Sequence, residues 1–140
     1  MNHLYQNESE IQAVVAGLEA CSTDKTRFKH RDHLTVAVIY LNSFGPDEAL
    51  ERLRRALFAF IDHHQVDRAK YNETITIFWL QMVRKVMNEL PEEAGLVDKC
   101  NHVLEALNNT DIVYEYYTRG TLWSDAARQK FVPPDLKSWN

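Results

Sequence analysis

The stretch FKHRDHLTVAVIY, residues 28–40, places two histidines three positions apart at the start of a run that is almost wholly apolar from Leu34 onward. Val36 and Ile39 stand opposite Leu34, Ala37 and Leu41, so the segment reads as a buried helix rather than one with a wet face. At about 100° per residue, His30 and His33 fall on the face of Leu34, Ala37, Leu41 and Phe44, and so point inward.

Helical periodicity continues on both sides of this segment. Ile11, Val14, Val15 and Leu18 form one stripe; Leu50, Leu53, Leu57, Phe60 and Ile61 form a second; Ile75, Trp79, Met82, Val83, Val86 and Leu90 form a third. Pro46 at a first helical position, Asn72 as a cap and Pro91 as a stop agree with these stripes. Helices are expected at 8–20, 30–43, 46–64, 72–90 and 94–108, with helical turns near 111–117 and 122–131. Pro133 and Pro134 then force an extended tail from about residue 132. Short connections favour antiparallel neighbours, so the expectation is an all-α, single-domain, up-and-down bundle of about five main helices with a C-terminal wrap, spanning residues 1–140.

The chain has 140 residues, 45% of them hydrophobic and 26% charged, which suits one core. Its net charge of −4, with cations interleaved among acids as in DEALERLRR, gives no footprint for nucleic acid. The longest apolar stretch, residues 34–41, is well short of the roughly 20 residues that cross a bilayer, so no membrane partner is expected. The start, MNHLYQNESEIQ, lacks the features of a signal peptide, which points to the cytoplasm and to Cys21 and Cys100 as free thiols. Cys100 shares a face with Leu96, Val103, Leu104 and Leu107 and reads as a buried small hydrophobe. The four glycines are scattered, so no phosphate-binding or dinucleotide loop can be drawn, and no serine nucleophile motif is present.

Antiparallel topology gathers the start of the second helix, the end of the third and the start of the fourth at one end of the bundle. His30, His33, His64, Tyr71, Asn72 and Glu73 are expected there, with Cys21, Asp111 and Tyr114 arriving at the same end. Imidazoles and a carboxylate on facing helices are the ingredients of a divalent metal site. His30, His33, His64 and Glu73 would suit zinc, iron, nickel or manganese and leave a position for water or substrate. Without metal, His33 or His30 would act as general base, oriented by Glu73 or Tyr71, while Tyr71, Asn72 and Thr76 would line a site for a small polar molecule.

Each of these residues also has a structural account: His64 at a helix C-terminus, Asn72 as a cap, Glu73 and Asp32 in first turns, and His30 and His33 bonded to backbone or to Tyr71. The alternative to a ligand or catalytic site is therefore a non-catalytic interaction module whose buried His/Asn/Glu cluster only specifies packing. Tyr114, Tyr116 and Tyr117 read as packing for the C-terminal segment, and His102 as solvated.

FKHRDHL, followed by YNETITIFW and LWSDAARQKFVPPDL, resembles a group of short bacterial all-helical proteins of uncharacterised function, over residues 28–136. The resemblance implies an all-α domain and a pairing of the His30/His33 segment with residues 71–76. Members of that group tend to carry His where this chain has Asn72. If their site uses that position for metal, His64 or Glu73 would have to complete the set here.

Overall fold

Leu34 through Tyr40 are buried without interruption because the helix that carries them is packed on all sides. The structure, a computed structural model, describes residues 4–138. It contains α1 (Glu8–Glu19), α2 (His30–Ser43), α3 (Pro46–His63), α4 (Glu73–Met87) and α5 (Leu96–Leu107). Two 3₁₀ segments, Arg68–Lys70 and Thr110–Glu115, and two short helices, α6 (Arg119–Leu122) and α7 (Asp125–Gln129), complete the set. Central α2 packs against α1, α3, α4 and α5. No strand occurs among the described residues, and none of their helices is long and apolar enough to cross a membrane. Residues 1–3 and 139–140, the two ends of the expected 1–140 domain, lie outside the description.

The sequence stripes place all five long helices, and the differences lie at the ends. The fourth stops at Met87 rather than 90, because Glu89 and Leu90 donate to the carbonyls of Val86 and Met87 and tighten the chain into turns before Pro91. Both α1 and α3 end in Schellman motifs, with Ser22 N–H on the Gly17 carbonyl and Val66 N–H on that of Ile61, each at 2.9 Å. The left-handed residues there are Cys21 and Gln65, each at φ 56°, where glycine is the usual choice.

The C-terminal wrap is tied to the first turn of α4. The fully buried Thr74 hydroxyl donates to the Ala127 carbonyl at 2.7 Å and accepts the Val132 N–H at 3.1 Å. Asn72 caps α4 through the Ile75 N–H and donates its side-chain amide to the Leu122 carbonyl at 2.8 Å. Asp135 accepts from Thr118 N–H, the Thr118 hydroxyl and the Thr121 hydroxyl, holding the tail to the start of α6. The wrap thereby brings Tyr114, Arg119 and Trp123 over one end of the bundle.

A candidate ligand cavity at the start of α2

At that end lies a cavity of ≈ 500 Å³ walled by α2, α3, α4 and the segment after α5. Leu34 and Ala37 of α2, Leu53 and Leu57 of α3, and Trp79 and Leu80 of α4 supply its apolar lining. His30 and His33 face it from the first turn of α2. A second chamber of ≈ 380 Å³ adjoins it, and the two share Phe28, His33, Leu57, Ile75, Thr76 and Trp123 as lining.

His30 is the better anchored of the histidine pair. Its Nε2 lies 3.0 Å from the Leu107 carbonyl. A carbonyl only accepts, so Nε2 carries the proton and the neutral ring keeps its lone pair on Nδ1. The ring stands edge-on to Trp79, with centroids 4.4 Å apart. Burial lowers the His30 pKa below its usual range, and the Leu107 hydrogen bond opposes that shift only partly.

His33 has a ring contact with Phe28 at 4.5 Å, but among the described residues its side chain makes no hydrogen bond. Neither of its nitrogens is sealed from solvent without a partner, and the residue lines both chambers. Burial, with a smaller contribution from neighbouring His30, lowers its pKa to about 4. At neutral pH it is an uncharged imidazole with one donor and one acceptor to offer.

The remaining expected site residues are distributed differently from the sequence reading. Glu73 does not join the histidines: its carboxylate is held by the Arg54 guanidinium and accepts the Tyr71 hydroxyl at 2.6 Å, in a separate cleft that also contains Arg68 and Arg128. Burial raises the Glu73 pKa, but the bonds from Arg54 and Tyr71 outweigh it and hold the carboxyl below its usual range. His64 is the C-cap of α3, packs on Phe60 at 4.4 Å, and has an Nε2 that is buried without a partner; it lines neither chamber. Among the described residues no three His, Cys, Asp or Glu side chains are grouped to hold a metal ion. The set His30, His33, His64 and Glu73 is thus divided by the arginine that claims Glu73 and by the helix end that holds His64.

Of the residues expected to bind ligand, Thr76 lines both chambers, its hydroxyl donating to the Asn72 carbonyl at 3.1 Å. Tyr71 and Asn72 border the second chamber with their polar groups already committed to Glu73, Ile75 and Leu122. Trp123 and Arg119 were not foreseen. Trp123 donates its indole N–H to the Tyr114 hydroxyl at 3.1 Å, and the Arg119 guanidinium lies over the Tyr114 ring at 4.0 Å. They come from the wrap, whose position follows from Thr74 and Asn72 rather than from any periodic signal. His102, as expected, is at the surface, paired with Glu89 at 2.9 Å.

Comparison of the chain with models of protein families, with curated proteins and with solved structures finds no match.

Proposed function

We propose that the protein binds a small, largely apolar organic molecule bearing a hydrogen-bonding group, and that His33 recognises that group. The observation that carries this reading is an imidazole that makes no side-chain hydrogen bond among the described residues and lines both of two adjoining, largely apolar chambers. A hydroxyl, phenol or amide of a ligand would give the ring the hydrogen bond that it lacks among the described residues, a bond typically worth about 0.5–1.5 kcal/mol. The cavity of ≈ 500 Å³ suits such a molecule, since ligand sites typically enclose about 300–1,000 Å³. Trp79 and Phe28 supply aromatic surface for its body. With a pKa of about 4, His33 is a weak base at neutral pH and a better hydrogen-bonding partner than proton acceptor.

The test is titration with 1-naphthol, a neutral aromatic alcohol, followed by the histidine ring resonances and the thermal midpoint. The reading requires a saturable shift at His33, a midpoint that rises with ligand concentration, and affinity at least about tenfold weaker in Trp79→Ala and His33→Phe. A second reading, a non-catalytic interaction module, has in its favour the exposed Trp123 (43%) and Leu136 (54%) on the wrap. It requires the His33 resonances to stay unmoved by 1-naphthol.

A further inference from the structure

The charges around the joined chambers do not follow the charge of the chain. Overall the protein carries −4, yet the chamber walls hold three permanent cations, Lys25, Lys70 and Arg119, against one carboxylate, Asp111. Asp111 and Arg119 both belong to the first chamber and offset each other, which leaves the second with two lysines and no acid. Among the described residues the side chain of neither Lys25 nor Lys70 forms an ion pair or a hydrogen bond. Asp24, next to Lys25, and Asp67, three residues before Lys70, are occupied in capping turns, accepting the N–H groups of Thr26 and Ala69 at 2.9 Å each, and Glu73, three residues after Lys70, is held by Arg54 and Tyr71. The first turn of α4 also forms part of this chamber, and its helix dipole favours negative charge there.

From this geometry we infer that the ligand is an amphipathic anion: its apolar body lies in the larger chamber beneath Trp79, and its acid group lies in the smaller one, facing Lys25 and Lys70. The inference rests on the cavity reading above and adds the ligand's chemical class. An apolar wall with unpaired cations at one end selects a carboxylate on a hydrophobic chain over the matching alcohol or amine. Exposed lysines act as point charges, so that selectivity weakens as salt rises.

Displacement of a neutral fluorescent dye, N-phenyl-1-naphthylamine, by dodecanoate, dodecanol and dodecylamine tests the inference. Dodecanoate should bind about tenfold or more tightly than dodecanol, and dodecylamine weakest. Lys25→Gln/Lys70→Gln should bring dodecanoate to within about twofold of dodecanol, as should high salt. Equal affinity of dodecanoate and dodecanol for the parent, or an unchanged preference in the double variant, overturns the anionic assignment while bound dye leaves the cavity reading standing. Failure of the dye itself to bind, in parent and Trp79→Ala alike, removes both.

Discussion

The Tyr71 hydroxyl donates to Glu73 Oε1 at 2.6 Å, and the Arg54 guanidinium completes the grip on that carboxylate. Glu73 is thereby a structural anion rather than a partner of the histidines. Glu73→Gln leaves the partly buried Arg54 with the exposed Glu51 as its remaining carboxylate partner and should cost about 1–3 kcal/mol, read as a lower urea midpoint at pH 7. The folded Glu73 pKa lies below its unfolded value, so its contribution is present above about pH 4.3 and is lost as pH falls through the folded value. The affinity for 1-naphthol should not change in this variant; a loss of ten times or more would return Glu73 to the site.

His33 gives stability a separate pH dependence. Above about pH 6.5 its ring is neutral in both states; as pH falls from there toward 4, the unfolded ring takes a proton that the buried one resists. Stability should therefore fall through that window, by a limit on the order of 3 kcal/mol below pH 4, with His30 adding in the same direction. Urea midpoints of His33→Phe should show a flatter slope between pH 6.5 and 5 than the parent. A histidine stabilised by ion pairing has the opposite sign, its contribution fading as pH climbs. An unaltered slope in both His33→Phe and His30→Gln would show that neither ring is buried in solution as it is here.

The helices were legible in the sequence because each apolar stripe reports one buried face, and α2 announced its central place by lacking a polar one. Helix order alone put His30, His33, Asp111 and Tyr114 at one end of the bundle, and these four line one cavity. Periodicity does not say which way a side chain at the margin of a stripe turns, and Glu73 sits at such a margin, where Arg54 on α3 decides the matter. The wrap was expected, but where it sits was opaque for a related reason. Its position depends on single hydrogen bonds spanning more than 50 residues, from Thr74 to Ala127 and Val132, and such bonds leave no periodic trace. Trp123, which the wrap carries to both chambers, was missed with it.

Thr74 accordingly anchors that wrap. Thr74→Val keeps the shape but leaves the Val132 N–H without its acceptor and the Ala127 carbonyl without its donor, at a cost of roughly 2–4 kcal/mol for two groups. Thr74→Ser keeps the hydroxyl and should lose less than half as much. Hydrogen exchange at Val132 should quicken in the valine variant and stay near the parent's rate in the serine one. Equal effects of the two substitutions would mean that the methyl group, not the hydroxyl, holds the segment.

The two thiols should react at very different rates. Cys100 is fully buried and its pKa is pushed by burial up to about 12, with Arg31 pulling only weakly the other way. Cys21 is half-buried at the end of α1. A thiol reagent attacks the thiolate, so Cys100 has to wait for an opening that both exposes and deprotonates it. With Ellman's reagent at pH 8, one equivalent should be released from the native protein within minutes and the second only as urea unfolds it. Cys21→Ser should abolish the fast phase and leave the slow one, whose rate then measures the opening of the α2–α5 core around Cys100. Two equivalents released together from the native protein would contradict the packing of α5 against α2.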